Sequence, residues 1–512
     1  MRDTLALPMA SDRQPWWQRA VLYQIYVRSF ADSNGDGVGD LRGIIDRLDY
    51  FQWLGVDALW LSPITVSPDR DWGYDVADYT EVQPVFGTLA DFDELVADAR
   101  GRNLRVVIDL VPNHTSDQHP WFQEARASRN SARRDWYVWR DPKPDGVPPN
   151  NWRSAFGGGP AWTLDPETGQ MYLHSFLPEQ TDLNWWNDDV RDAMDDVMRF
   201  WLDRGVAGFR LDVAHAIVKD RELRDGPSER DVLIDIDETH AVQRRWRRVV
   251  DRYESARILL GETWVMDLVK LAGFYGSGED QLHLAFNFPF SFSPLEAEAL
   301  RGVVETTEEL LPERAWPAWT LSNHDMPRFP SRMCNGDARK ARAALLALLT
   351  LRGTPVLYYG DELAMPQVDI PPDRERDMAG RDGARTPLPW DGDWDDPWLP
   401  LGGNVAGVAA QRDDRSSFLT FCREVLALRR AREDLVSGLY ASLAAPPGVW
   451  AWRRGDGTAV ALNLSDEPAR TELAGRVLLS TAGREYGSEL EPWEGVVLEL
   501  TQLSSYAEAE GA

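Results

Sequence analysis

The sequence predicts an α/β fold in which eight parallel strands and their helices close into a (β/α)8 TIM barrel. Three observations predict it. Eight short apolar segments, rich in β-branched and aromatic residues, recur along the chain. Amphipathic stretches with helical spacing lie between them. Strand and helix signals alternate in this way until about residue 436, and eight βα units make a closed barrel.

The candidate strands are VLYQIYVRSF (21–30), ALWLSP (58–63), RVVIDLVPN (105–113), VAGFRLDV (206–213), RILLGET (257–263), LHLAFNF (282–288), AWTLSN (318–323) and TPVLYYGD (354–361). Helical stretches include LADFDELVADARGRN (89–103), NDDVRDAMDDVMRFWLDRG (187–205) and DARKARAALLALLTLRG (337–353). The last two end in Gly, as a helix C-terminus often does. LTFCREVLALRRARED (419–434) reads as the last barrel helix.

Two gaps exceed ordinary loops. Residues 114–180 carry Trp, Pro and Gly clusters without a strong helical period and read as a small inserted domain. Residues 362–412, rich in Pro, Asp and Arg, read as a lid or wall over the barrel mouth. From residue 436 short strands return in GVWAWRRGDGTAVALNLSD and VLLSTAG, an all-β sandwich domain to residue 512. The barrel itself then comprises residues 1–113 and 181–435.

Composition narrows the function classes. A net charge of −28 and a pI near 4.7 repel nucleic acid and anionic membranes, so neither is an expected partner. The 23 Trp residues serve the core, but this is also the composition of proteins that stack on sugar rings. Two cysteines, Cys334 and Cys422, argue against a disulfide framework and fit a reducing cytosol. The N-terminal MRDTLALPMASDRQPWWQ is interrupted by Pro8 and lacks a signal-peptide core. No run of about 18 apolar residues marks a membrane span. The expectation is a cytoplasmic monomer or homodimer.

Polar residues at the C-terminal ends of barrel strands face the active site. These ends carry Asp109, Asn113 and His114 (third strand), Arg210 and Asp212 (fourth), Glu262 (fifth), and Asn323, His324 and Asp325 (seventh). Asp109 alone reads as a brace and His114 alone as a structural hydrogen-bonder. Acids converging from strands four, five and seven, however, crowd like charges unless the site uses them. Glycoside hydrolysis uses a carboxylate nucleophile and a second carboxyl that protonates the leaving oxygen. Arg210 lies two residues before Asp212, on the same face of a strand, where a guanidinium keeps the acid ionised. Trp264, close to Glu262, is expected to lower the local polarity and hold that acid protonated.

The stretch DSNGDGVGD (32–40) sets Asp32, Asn34, Asp36 and Asp40 at alternating positions, as an EF-hand begins. The bidentate acid an EF-hand needs at its twelfth position is replaced by Gly43, and the preceding segment is a strand. A truncated oxygen-ligand loop, with the Val38 carbonyl as a backbone ligand, and a plain Asn/Asp/Gly turn are both open on these residues.

Four motifs, DLVPNH (109–114), GFRLDVAH (208–215), GETW (261–264) and SNHD (322–325), occur in that order. YQIYVRSFADSNGDGVGDL, DWGYDVADY (71–79), QTDLNWW (180–186) and RDGARTPLPW (381–390) accompany them. In these stretches the chain resembles the α-amylase superfamily, in its α-glucosidase and oligo-1,6-glucosidase branch, over about residues 15 to 500.

The resemblance implies a retaining, exo-acting α-glucosidase that releases glucose from the non-reducing ends of short malto- or isomalto-oligosaccharides through a glycosyl-enzyme intermediate. It implies Asp212 as nucleophile, Glu262 as general acid/base and Asp325 as the third acid, which grips sugar hydroxyls. Arg210 would support the nucleophile, and His114 and His324 would donate to glucose hydroxyls. Asp71 and Arg381 would close the far end of the pocket, Tyr74 would stack beneath the sugar, and Phe156 and Phe176 would form aromatic walls. It further implies no organic cofactor, and a structural calcium or magnesium ion held by Asp32, Asn34, Asp36, the Val38 carbonyl and Asp40.

Thr181 and Met326 depart from the branch's usual Pro and Gln. Val213 resembles enzymes that prefer α-1,6 links. A transglucosidase or a sucrose or maltose isomerase shares all three acids and is the alternative. A more distant one is a non-catalytic, transporter-associated barrel, which lacks the acids and carries a membrane anchor.

Overall fold

A computed structural model describes residues 14–226, 235–390, 392, 394–402, 405–484 and 486–500. Residues 1–13 of the N-terminal stretch, including Pro8, and the end of the expected C-terminal domain (501–512) lie outside the described residues.

Eight strands form one parallel sheet: β1 (Leu22–Ile25), β2 (Ala58–Leu61), β3 (Arg105–Leu110), β4 (Gly208–Leu211), β5 (Ile258–Gly261), β6 (Leu284–Ala285), β7 (Ala318–Thr320) and β8 (Thr354–Tyr358). The order is β6-β5-β4-β3-β2-β1-β8-β7, and a parallel bridge between Phe286 and Ala318 joins its two ends into a barrel. Each strand falls inside one of the eight apolar segments and is shorter than it. In the first, the chain leaves the ladder after Ile25 and tightens into a 3-10 turn at Val27–Ser29.

Period-two alternation sorts the strand residues. Leu22, Trp60, Val107, Leu260 and Val356 belong to the core inside the barrel. Tyr23, Leu59, Ile108, Leu259 and Leu357 belong to the layer under the helices. By the same alternation Gln24, Asp109 and Arg210 point inward, near the C-terminal mouth. Gly208 opens β4 with φ +146°, and a Cβ there would lie 2.2 Å from the Ile258 carbonyl oxygen, so only glycine lets β4 reach β5.

The helices between the strands follow from capped amphipathic segments. Helix α1 (Leu89–Gly101) starts with a capping box, Thr88 accepting from the Asp91 amide and Asp91 from the Thr88 amide. Helix α2 (Asp188–Asp203) buries Val190, Met194, Val197, Met198, Trp201 and Leu202 along one stripe and ends at Gly205, φ +98°. Helix α3 (Ala338–Thr350) ends differently from expectation. It stops three residues before Gly353, and its terminal carbonyls are taken by buried arginines: Arg429 donates to Leu349, Leu351 and Gly353, and Arg454 to Thr350. Gly353 serves close approach instead, since a Cβ there would lie 2.4 Å from Trp319 Nε1.

Between β3 and α2, strand His114–Ser116 pairs antiparallel with Gln180–Asp182, and Trp139–Arg140, Met171–Leu173 and Trp162–Leu164 form a three-stranded sheet. Val138, Trp152, Ala161, Trp162, Met171 and Leu173 give this part its own core. It also contains a helix, Pro120–Arg126, that the sequence did not announce.

The C-terminal part is an antiparallel sheet of β9 (Tyr440–Leu443), β10 (Val449–Arg454), β11 (Thr458–Asn463), β12 (Arg476–Ser480) and β13 (Gly495–Glu499), in the order β9-β10-β11-β13-β12. Trp450, Trp452, Val460, Leu462 and Val497 pack on the barrel side. Val449, Ala451, Ala459, Ala461 and Leu498 face a second small core with Leu473 and Leu490, beside a two-stranded pair, Ala469–Arg470 and Glu489–Leu490. Among the described residues no helix is long and apolar enough to cross a membrane.

Candidate active site

The β4 and β5 ladders run one residue past their ends. The Asp212 amide donates to Leu110 O and the Glu262 amide to Leu211 O, both at 2.9 Å. Both acids are thereby fixed at the barrel mouth. Arg210, buried, bonds three carboxyls at once: Asp109 Oδ1 at 2.7 Å, Asp212 Oδ1 at 2.8 Å and Glu262 Oε2 at 2.8 Å. Glu262 Oε2 also accepts the Val213 amide at 2.9 Å. To present that amide, Val213 takes φ +48°, an uncommon conformation for a β-branched residue.

Asp212 and Glu262 hydrogen-bond each other across this arrangement. Burial and the facing Glu262 charge push the Asp212 carboxyl well up, against the pull of Arg210. Asp109 is pushed up to about 6 by burial, opposed by Arg210 and by the Trp60 indole, which donates to it at 3.1 Å. In this setting the Asp212 carboxyl is harder to ionise than a carboxyl in water.

Asp325 follows β7 and is held differently. Burial works against its ionisation, but His324, Arg381, Arg385 and Arg210 together hold it well below the usual carboxylate range. Arg381 Nη1 lies 2.9 Å and Arg385 Nη2 3.2 Å from Asp325 Oδ1. Arg381 also pairs with Asp71, and with Asp377 at 2.7 Å. Asp71 in turn accepts from Gln180 at 2.9 Å.

His324 accepts from Gln24 at Nδ1, 2.8 Å away, which leaves Nε2–H for Tyr74 Oη at 2.6 Å and Asp325 at 3.1 Å. Burial pushes its pKa down to about 3, so this imidazole stays neutral. Tyr74 donates to Asp109 at 3.1 Å and its ring stacks flat on His324.

These groups surround a cavity of about 910 Å³. Asp212, Glu262, Asp325, Asp71, Tyr74, His114, Phe156, Phe176 and Arg381 all line it. Phe156 and Phe176 come from the inserted segment, with ring centroids 5.4 Å apart, and Arg381 lies 5.1 Å from the Phe156 ring. Arg210 and His324 are buried and lie behind the wall, reaching the cavity through Asp212, Glu262, Tyr74 and Asp325.

Trp264 departs from its expected part. It is 38 % exposed and packs on Phe288 and Phe292, so the immediate surroundings of Glu262 are set by Arg210 and the Val213 amide. Gln24, Gln180, Asp377 and Arg385 were missed by sequence reasoning, although Gln180 and Arg385 stand within the quoted QTDLNWW and RDGARTPLPW. Arg385, four residues after Arg381 in one motif, was the one legible signal.

The loop 32–40 lies apart from the cavity residues in its bonding. Asp32 accepts from the Asn34, Gly35 and Gly37 amides, Asn34 from Asp36, and Asp36 from Val38. Asp40 accepts from Ser33 and caps the helix Leu41–Asp46 through the Gly43 amide. The donor set is all oxygen and suits a hard cation in kind. Among the described residues, however, no three Asp, Glu, His or Cys side chains come together as a metal-holding group.

Comparison with known proteins places this geometry. Residues 24–438 match the family described as alpha amylase, catalytic domain, and residues 437–497 match a domain of unknown function. The chain is 41 % identical to a probable alpha-glucosidase of Rhizobium meliloti (strain 1021), over 96 % of each chain. It is 36 % identical to an oligo-1,6-glucosidase of Heyndrickxia coagulans, over 83 % of this chain and 87 % of that one. A crystal structure of an alpha-glucosyl transfer enzyme, XgtA, superposes with a TM-score of 0.89 at 39 % identity, covering 95 % of this chain and 99 % of that one. With the family matched over most of its length and acids gathered at the barrel mouth, the chain belongs to the alpha-amylase family and is a glycoside hydrolase.

Proposed function

We propose that the protein is an exo-acting, retaining α-glucosidase releasing glucose from the non-reducing ends of short malto- or isomalto-oligosaccharides. The observation that carries this reading is the ion-pair network Asp71–Arg381–Asp325, which lines one part of the cavity that also holds Asp212 and Glu262. Such a network blocks passage of a longer chain and offers charged acceptors and donors to the hydroxyls of one terminal glucose.

In this reading Asp212 is the nucleophile and Glu262 the acid. Both carboxyls rest on one guanidinium, a spacing that suits covalent attack from one and protonation by the other. The Asp212 carboxylate bonds the glucose C1 while Glu262 gives its proton to the departing glycosidic oxygen. Glu262 then takes a proton from water, the water oxygen bonds C1, and the Asp212–C1 bond breaks. Asp325, kept ionised by Arg381 and Arg385, holds sugar hydroxyls and the positive charge that develops at the ring. His114 and Tyr74 complete the polar wall, and Phe156 and Phe176 its aromatic side.

Transfer to another alcohol is the second reading, favoured by the close superposition with an alpha-glucosyl transfer enzyme. Product analysis on maltose, isomaltose and sucrose separates the two. Free glucose is the expected main product, from isomaltose before maltose if Val213 sets the linkage. New disaccharides with little glucose would overturn the hydrolase reading.

The reading includes a divalent ion at Asp32, Asn34, Asp36, the Val38 carbonyl and Asp40, pinning the loop after β1 and taking no part in the chemistry. Chelation with EDTA is then expected to lower the melting temperature by about 3–10 °C, restored by calcium or magnesium. An unchanged melting curve would leave the loop a plain turn. The two buried thiols, Cys334 and Cys422, fit residence in a reducing cytoplasm, as monomer or homodimer.

A further inference from the structure

We propose that Asp75, behind the cavity wall, is a positioning residue that folds the loop 67–75 around its carboxylate and so holds Asp71 where it meets Arg381. This deepens the function proposed above and rests on its assignment of Asp71 to the terminal glucose.

Asp75 is fully buried and is not among the residues that line the cavity. Its carboxylate gathers the loop that precedes it. Oδ1 accepts the Ser67 hydroxyl at 2.7 Å and the Asp71 amide at 3.0 Å, and Oδ2 accepts the Arg70 amide at 3.0 Å. Ser67 Oγ extends the arrangement by accepting the Asp69 amide at 3.0 Å. Burial pushes the Asp75 carboxyl up to about 6, while these three donors pull it down, so it is ionised at neutral pH. The donors are neutral groups of its own loop, and the cost of burying the charge is offset where the loop closes on it.

The loop needs such a clasp. Asp69, Trp72 and Gly73 have φ of +61°, +51° and +104°. For Asp69 and Trp72 these conformations are uncommon, and they persist where the surroundings over-determine them. The bonds to Asp75 supply that constraint.

The effect falls on Asp71. Its side chain pairs with Arg381, while its own amide is bound to Asp75, so the backbone behind the sugar-facing carboxylate is fixed. Tyr74 lies between the two in sequence but has independent supports, the stack on His324 and the bond to Asp109 at 3.1 Å.

Only a carboxylate satisfies all three donors. Asp75→Asn keeps the shape, but whichever way the amide turns, its NH2 faces a backbone N–H. The loop must then shift, and a displacement of about 1 Å at a binding group costs about 10²-fold.

The test measures kcat and KM on maltose or isomaltose, whichever is cleaved, and the inhibition constant of glucose. It uses wild type, Asp75→Asn, Asp71→Ala and the double variant. Asp75→Asn is expected to raise KM and the glucose inhibition constant about ten- to a hundredfold, with kcat within about threefold. On the Asp71→Ala background the same change is expected to cost less than about twofold, because the side chain it positions is gone. Where Asp75→Asn does not fold, Ser67→Ala removes one donor and completes the same cycle. It is expected to raise KM about three- to tenfold, and not at all with Asp71→Ala. An unchanged KM in a folded variant, a loss confined to kcat, or losses that multiply with Asp71→Ala overturn the proposal while glucose release stands. An unaltered KM in Asp71→Ala overturns the assignment of Asp71 to the glucose and this proposal with it.

Discussion

Asp212→Asn is expected to abolish glucose release, by about 10⁴-fold or more, while leaving the fold intact. The side chain keeps its size, and its amide oxygen still accepts the Arg210 donor that lies 2.8 Å from Asp212 Oδ1. What disappears is the charge that bonds C1, and no neighbouring group replaces it: Asp109 is committed to Arg210, Trp60 and Tyr74. The same change is expected to stabilise the protein. Asp212 is buried against Glu262 and Asp109, which push its carboxyl up, so the native state bears the cost of an ionised acid it does not need for folding. A rise in melting temperature of about 2–4 °C at neutral pH, together with lost turnover, is the joint signature. Residual activity above about 1 % of wild type would sink the nucleophile assignment. Lost activity with a lowered melting temperature would place Asp212 among the residues that hold the barrel.

The barrel was legible because each strand is an apolar run long enough to stand out, and the mouth because its acids directly follow such runs. Asp212 comes one residue after Leu211, and Glu262 one after Gly261. The helix Pro120–Arg126 was missed because two turns among Trp, Pro and Gly residues show no period; its start depends on His119, which accepts the Trp121 amide. Gly353 looked like a helix end because it follows an apolar helix, yet its role comes from Trp319, a neighbour only in space. Trp264 shows the same limit: two residues from Glu262 in sequence, it packs outward on Phe288 and Phe292. Gln24 reaches the site through His324, 300 positions away, and Asp377 through a local turn to Arg381, and no spacing in the chain announces either pairing; Arg385 showed only as a second arginine after Arg381, its contact with Asp325 lying 60 positions away.

Arg210→Ala is expected to be the most damaging substitution at the mouth, and its damage should depend on pH in a stated direction. The guanidinium contacts Asp109, Asp212 and Glu262, and breaking a buried ion pair by removing one partner costs about 3–5 kcal/mol. Without it the folded-state pKa values of Asp109 and Asp212, already raised by burial, rise further, since Arg210 is the group that pulls them down. A carboxyl raised in the fold contributes stability that is present below its unfolded value, near 3.9, and is lost as pH rises through its folded value. Asp109 stands at about 6 even with Arg210 in place, so wild type and variant lose this contribution alike up to about pH 6, and the variant's charge-dependent deficit should open above that, where only its more strongly raised carboxyls are still being forced to ionise. Melting curves of wild type and variant from pH 5 to 8 measure it: the gap should widen as pH rises. A gap that stays constant would mean that Arg210 matters through packing against Trp60 and Tyr74, whose rings lie 5.3 and 5.8 Å away, rather than through charge. Activity should fall at every pH, because the acids that share this guanidinium lose the geometry that sets attack against protonation.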